Sequence, residues 1–319
     1  MNYVVFDLEW NQCPRGKEYE NKRLPFEIIE IGAVRLDDAR AETDRFHAII
    51  RPRVYRRLHY RTRRVVRLDN EALREGETFP DVAREFLAWA GPDARFCTWG
   101  GADLTELQRN LRFYQMLDLL PGPFYYYDVQ KLFAMMEPGA QGRCSLERAI
   151  DLLCMEKSRE FHSALADAVY TARVFAKIEM PLLAGNESVD FFQNPQSKTE
   201  EIYLAHRDDS QYISREFPSA EQAMQDLEVR RIHCYRCGRH ARKKTLWFAS
   251  GQHRHQCVAV CPEHGLLEGI IHIRRSESGA VFVDKCVQSC TEEHAEQIRA
   301  RKKVMTERRR RRRRGAAAT

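Results

Sequence analysis

Three apolar, β-rich runs fill the first fifty residues, and helical and strand periods then alternate to about residue 180. The runs are Tyr3–Leu8, Phe26–Leu36 (with Ile28, Ile29, Ile31 and Val34 as its apolar content) and Phe46–Ile50, which predicts an antiparallel meander. Beyond Leu68, Val82, Phe86, Leu87 and Ala90 recur at helical spacing behind Pro80, predicting a helix over Asp81–Ala90. A strand at Arg95–Thr98, a helix at Asp103–Tyr114, a strand at Tyr125–Asp128 and a helix at Ser145–Leu153, opened by Ser145 as N-cap, follow. His162–Lys177 is the last helical stretch. Three strands followed by alternating helices and strands predict an α/β domain: a mixed sheet flanked by helices.

From Cys234 the residue grammar changes to Cys and His clusters between short β runs, with one long helical stretch at Glu292–Lys303. The expected organisation is a domain at 1–182, a polar and partly helical connector at 183–232, a small β domain at 233–305, and a disordered Arg-rich tail at 306–319. Charge divides the same way. Residues 234–319 carry 20 Lys and Arg against 8 Asp and Glu, a net +12 that leaves −6 for residues 1–232. Such asymmetry suggests a polyanionic partner, although the run Arg308–Arg314 also reads as a solvated tail. No apolar run approaches the ~18 residues of a membrane helix, so no membrane partner is expected. Ten cysteines without an export signal point to the reducing cytoplasm, where thiols bind metals or pack.

Asp7 and Glu9 stand at i and i+2 at the end of the first run, so period two puts both carboxylates on one face. That suits a hard divalent cation; alone, the pair also reads as two surface acids. Asp103, opening a helix, reads by itself as an N-cap. Five helical residues turn ~500°, which leaves His162 and Asp167 ~140° apart; both face one site only if His162 precedes the regular helix.

Four segments in this order carry a family resemblance: Phe6-Asp7-Leu8-Glu9, then Glu27-Ile28-Ile29-Glu30-Ile31-Gly32-Ala33-Val34, then Trp99-Gly100-Gly101-Ala102-Asp103 followed by Leu107, then His162-Ser163-Ala164-Leu165-Ala166-Asp167-Ala168. Over residues 1–180 the chain resembles the DEDDh 3′–5′ exonucleases of the RNase H-like superfamily, and within them the Eri- and KapD-like branch, which has a similar Trp-Gly before its middle Asp. Many members have Thr where this chain has Trp10, and Asn or His where it has Trp99-Gly100; in the family both positions lie near the terminal nucleotide. The resemblance implies two Mg²⁺ ions (or Mn²⁺) per active site, with Asp7, Glu9 and Asp167 on the first and Asp7 with Asp103 placing the second. It also implies that His162 takes the proton of the attacking water, for which a pKa near ~6.5 is suited.

Arg51–Arg67 holds eight arginines and no acid, with Tyr55, His59 and Tyr60 interleaved. Arginine on phosphate with aromatics for stacking is how single-stranded nucleic acid is held without sequence readout, so Arg56, Arg57, Arg61, Arg63 and Arg64 are candidate contacts. A solvated loop and helix face is the plainer reading. Trp10 is a candidate stacking platform that reads equally as core, and Trp99 reads as packing.

Cys234-x2-Cys237-Gly238 and Cys261-Pro262-Glu263-His264-Gly265 have the look of two metal knuckles, and a Cys₃His set suits structural Zn²⁺ in a zinc-ribbon-like module. Cys257 competes as a ligand, and Cys286, Cys290 and His294 offer a partial second site; core and surface roles are the plainer reading. A closed four-ligand zinc leaves no open position for chemistry, so the module would present basic residues to nucleic acid or, failing that, dock a protein partner.

The expected function is hydrolysis of phosphodiester bonds at the 3′ end of single-stranded RNA or DNA, releasing 5′-mononucleotides. The alternatives are a non-catalytic nucleic-acid-binding or regulatory protein-interaction module on the same fold, and a related nuclease cutting internally.

Overall fold

A computed structural model describes residues 2–66, 68, 70–140, 142–157, 161–276 and 278–316; the side chains of Asn70 and of 309–316 lie outside the described set, as does Arg67. The chain divides into two compact units, Met1–Gln193 and Asn194–Thr319. No helix among the described residues is long and apolar enough to cross a membrane.

The first unit runs β1 (Asn2–Gln12), β2 (Phe26–Leu36), β3 (Glu42–Ile49), α1 (Tyr60–Val65), α2 (Asn70–Glu75), α3 (Phe79–Ala90), β4 (Ala94–Thr98), α4 (Ala102–Phe113), β5 (Phe124–Asp128), α5 (Val129–Met136), α6 (Leu146–Leu152), α7 (Ala164–Lys177), α8 (Met180–Leu183) and β6 (Ser188–Asp190). Its sheet has the order β3-β2-β1-β4-β5-β6. The pairs β1–β2, β2–β3 and β5–β6 are antiparallel, whereas β4 runs parallel to β1 and β5 parallel to β4.

Both faces of this sheet are covered, which is why β2 reads as a nearly unbroken apolar run rather than an alternation. Tyr3, Val5, Val34 and Leu36 pack with α5, α6 and α7 on one face. Val4, Phe6, Leu8 and Ile28 pack with α3 and α4 on the other. Helix α7 comes closest to the sheet at Gly32, where a Cβ would overlap the backbone of Ala164 and Leu165. Gly32 pairs with Asp7 across β1–β2, so this close approach brings the first turn of α7 over the centre of the sheet. Gly32→Ala is expected to cost about 1–3 kcal/mol or more of stability through forced displacement of α7. Asp167 rides on the same turn and should be displaced with it; an unchanged melting temperature would contradict the packing described.

The second unit contains β7 (Ile202–Ala205), β8 (Asp209–Ile213), α9 (Ala220–Gln225), α10 (Leu227–Arg230), β9 (Arg242–Gly251), β10 (Arg254–Cys261), β11 (Gly265–Arg275), β12 (Val281–Ser289) and α11 (Glu292–Ala316). They form a six-stranded sheet of order β7-β8-β12-β11-β10-β9, antiparallel throughout. Residues 183–232, expected as a polar and partly helical connector, do hold the helices α9 and α10, but they also supply the strands β6, β7 and β8. Their first part pairs β6 with β5 in the first unit, and β8 pairs with β12 across more than 70 residues of sequence. Polar composition hides these strands because β7 is the edge strand and exposes Tyr203 and Ala205, while β8, inside it, buries a polar residue, Ser210, along with Tyr212 and Ile213. The small β domain therefore starts before 233 and has apolar clusters of its own, around Ile271 and Val283 and around Leu267 and Val287. The tail from 306, expected to be disordered, continues α11 as helix to Ala316. Arginine is among the better helix formers, and no glycine or proline interrupts the run before Gly315.

Candidate active site and metal centres

Period two along β1 puts Asp7 and Glu9 on the face covered by α7, and Asp167 lies one turn inside that helix. One carboxylate oxygen from each of these three residues lies within 4.8 Å of the others. Asp103, the second residue of α4, is buried, and its Oδ1 accepts the Leu8 N–H at 3.2 Å, between the two β1 acids. Four carboxylates drawn from three elements thus crowd around the middle of β1, which runs on to Gln12 and does not end at the acids as the sequence suggests.

Their titration reflects the crowding. Burial first, and then the neighbouring carboxylates, pushes Asp7 well above the ordinary range and Glu9 up to about 8. Burial also raises Asp103 to about 7, against the pull of the Leu8 N–H, and Asp167 to about 6, against the pull of the His162 N–H. Like charges this close cannot all ionise unless something positive joins them. Asp167 Oδ1 is buried with no hydrogen-bond partner among the described residues. An orphaned carboxylate oxygen beside three more acids fits a hard divalent cation, which takes oxygen ligands.

His162 stands just before α7, with Ser163 as the N-cap, so the two side chains escape the ~140° separation of a continuous helix. Its backbone is left-handed (φ 69°), its side chain is exposed, and its N–H donates to Asp167 Oδ2 at 3.1 Å.

Glu30, which sequence motifs alone leave without a role, joins this cluster. It faces Glu9 directly across β1–β2, is buried, and contributes to the raised pKa of Asp7, Glu9 and Asp167. Its Oε1 accepts Ser163 Oγ at 3.1 Å and meets His47 Nε2 at 2.9 Å. The available signal is an acid in the interior of an apolar run, flanked on both sides by isoleucine.

Trp10 follows a register shift in β1 after Glu9, and its ring packs on Phe26 at 5.9 Å, beside the α3–α4 core. Trp99 packs on Phe133 and donates to Cys144 O. Arg56 and Arg57 are exposed on the loop before α1, and Arg61, Arg63 and Arg64 are exposed on α1 itself.

In the second unit, ligand atoms of Cys234, Cys237, Cys261 and His264 lie within 4.8 Å of one another. Cys237 Sγ and Cys261 Sγ are 3.7 Å apart, and His264 Nδ1 is 3.6 Å from Cys234 Sγ. A tetrahedron with ~2.3 Å bonds has edges of roughly 3.8 Å, so the spacing fits zinc. Gly238 (φ 69°) and Gly265 (φ 76°) make the left-handed turns that let each knuckle close. Although burial pushes the Cys261 thiol up, the N–H groups of Glu263 and His264 bring it down to about 6, favouring thiolate. Cys257 is buried, its thiol is raised to about 12, and it packs under Gly269 outside the four-atom cluster. The partial second site does not assemble among the described residues: Cys290 donates to Thr291 O, while His294 pairs with the buried Glu268. Cys261→Ser is expected to lower bound zinc from one per chain toward none, as measured by metal analysis, and to melt the second unit at lower temperature. Unchanged zinc content would remove this assignment.

Residues 4–175 match the RNase_T family, whose description is Exonuclease. The chain is 25% identical over 214 residues to the DNA polymerase III subunit epsilon of Buchnera aphidicola, covering 63% of this chain and 82% of that one. It is 31% identical over 124 residues to the probable 3′-5′ exonuclease KapD of Bacillus subtilis, covering 38% of this chain and 56% of KapD. Among solved structures, the nuclease domain of 3′hExo, a DEDDh family member bound to rAMP, aligns at 19% identity with a TM-score of 0.48, over 59% of this chain and 96% of that domain.

Proposed function

Because the chain belongs to the RNase T exonuclease family as a DEDDh-type member, we propose that it is a metal-dependent 3′–5′ exonuclease that hydrolyses single-stranded RNA or DNA from the 3′ end and releases 5′-mononucleotides. The observation that carries this reading is the convergence of Asp7, Glu9 and Asp167 beside Asp103, with a buried oxygen of Asp167 left unpartnered.

Asp7, Glu9 and Asp167 would hold one divalent ion, and Asp7 with Asp103 a second. Bound ions of this kind offset phosphate charge and make water a better nucleophile near neutral pH. His162 is the group in this chain suited to accept the water's proton, because imidazole is a general base and the His162 backbone is tied to Asp167 beside the carboxylates. Glu30 positions the Ser163 end of α7 and adds negative charge behind Glu9. Arg56, Arg57, Arg61, Arg63 and Arg64 would neutralise the phosphates of the strand and Trp10 would flank its terminal base. The zinc knuckles would hold the second unit as a scaffold that offers its basic surface to nucleic acid or to a protein partner.

The test uses matched RNA and DNA oligonucleotides labelled at the 5′ end, incubated with zinc-replete protein with and without Mg²⁺. A ladder shortening from the 3′ end in steps of one nucleotide, with mononucleotide product, is expected only with Mg²⁺. Cleavage of a circular strand, or release from the 3′ end of pieces longer than one nucleotide, would overturn the proposal.

A further inference from the structure

Arg51, Arg53, Arg56 and Arg57, together with Arg74 and Tyr114, line a cavity of about 730 Å³ in the first unit. None of the five guanidinium groups has an ion-pair or hydrogen-bond partner among the described residues. The loop that carries four of them is fixed from beneath. The buried carboxylate of Glu27 accepts the N–H groups of Arg53, Val54 and Tyr55 at 2.7, 2.9 and 2.6 Å. The buried amide of Asn11 donates to Tyr55 O and Arg57 O, each at 2.9 Å, and accepts His59 N–H at 2.9 Å. Tyr114 is stacked against Phe79 at 5.1 Å on the far wall.

Four unpaired cations on a loop that cannot splay, with Arg74 of α2 as a fifth, repel one another, and an anion is what relieves that repulsion. Location then narrows the anion. Asn11 lies two residues past Glu9 on β1, roughly 7 Å along the strand, so the Arg57 end of the loop is fixed near the carboxylates. Tyr114 lies eleven residues past Asp103 at the end of α4, roughly 16 Å along the helix. The cavity therefore extends away from the carboxylate cluster on the same unit.

Resting on the exonuclease reading above, we propose that this cavity is a second phosphate site: it grips the single strand upstream of the end being cut and makes turnover depend on strand length. The separation corresponds to roughly three to five nucleotides, at 3.4 Å or more per step. The recognised chemistry is the phosphodiester backbone, with the Tyr114 ring available to a base. The clamp uses backbone N–H and C=O groups of the loop, so changing the arginine side chains leaves it intact.

The experiment compares the parent full-length chain with the triple variant Arg51→Gln, Arg53→Gln, Arg74→Gln and with the single variant Arg53→Gln. Binding of a fluorescent 12-nucleotide strand is followed against salt without Mg²⁺, and cleavage of that strand and of a dinucleotide is followed with it. The triple variant should flatten the slope of log K against log salt by about two, and the single variant by about 0.7. In the triple variant, kcat/KM for the 12-mer relative to the dinucleotide should fall about tenfold. An unchanged slope, or an equal loss on both substrates, would overturn the site. A parent that cleaves neither strand would sink the exonuclease reading instead, and the binding slope, which needs no turnover, would still decide this one.

Discussion

Asp7→Asn and Asp167→Asn are each expected to lower kcat/KM on a 3′-ended oligonucleotide on the order of a thousandfold while the protein stays folded. Both residues sit where like charges already crowd. Asn is nearly isosteric and removes a charge whose ionisation burial and neighbouring acids oppose. Without Mg²⁺ the variants should therefore melt no lower than the parent. Activity and stability thus move apart, a pattern that a purely structural role for these carboxylates would not produce. His162→Ala should lose about 10²–10⁴-fold, in the range of a lost general base. Because its side chain is exposed and its hydrogen bond to Asp167 comes from the backbone N–H, binding of Mg²⁺ should survive that change. If Asp7→Asn degraded the substrate at the parental rate, the carboxylate cluster would not be the site of hydrolysis.

The second large effect is a coupling of pH, divalent cation and stability. Unfolded Asp and Glu titrate near ~4. In the folded protein burial holds Glu9 at about 8, Asp103 at about 7 and Asp167 at about 6. Between about pH 4 and 8 the native state therefore keeps protons that the unfolded chain has released. The stability of the Mg²⁺-free protein must fall as pH rises through that window. A divalent cation reverses the trend, because it stabilises the ionised form. At a hundredfold excess over its Kd it contributes about 2.7 kcal/mol, or roughly 5–10 °C in the melting of the first unit. The gain should be small at pH 5, large at pH 8, and much reduced in Asp7→Asn. Mg²⁺ should be titrated into zinc-replete protein, since a chelator would also strip the Cys₃His site. A gain independent of pH, or one as large in Asp7→Asn as in the parent, would refute the coupling.

Several parts of this arrangement are visible along the chain because they are local. Alternation on a strand is enough to place Asp7 and Glu9 on one face. A turn of 100° per residue is enough to require His162 outside the helix that carries Asp167, and the structure has Ser163 as N-cap. The short Cys-x2-Cys and Cys-x2-His spacings announce two knuckles, whose four ligand atoms the structure gathers within 4.8 Å. The three-strand meander and the alternation after it also follow from local periods, and the sheet order shows them.

What the chain does not announce is set by register and by contacts between distant segments. Glu30 joins the acidic cluster only because the β1–β2 register puts it opposite Glu9, and a slip of one residue would turn it to the other face. Residues 202–213 look like a linker until β12 offers a strand to pair with. The arginines of 51–57 meet Arg74 and Tyr114 through a loop held by Glu27 and Asn11, two polar side chains whose partners lie between 26 and 48 residues away. Sequence therefore determined the local geometry of the chemistry-bearing pairs and the order of the elements. Only the tertiary structure decided which charges share a pocket, because burial, cross-strand register and loop closure depend on segments that are not neighbours in the chain.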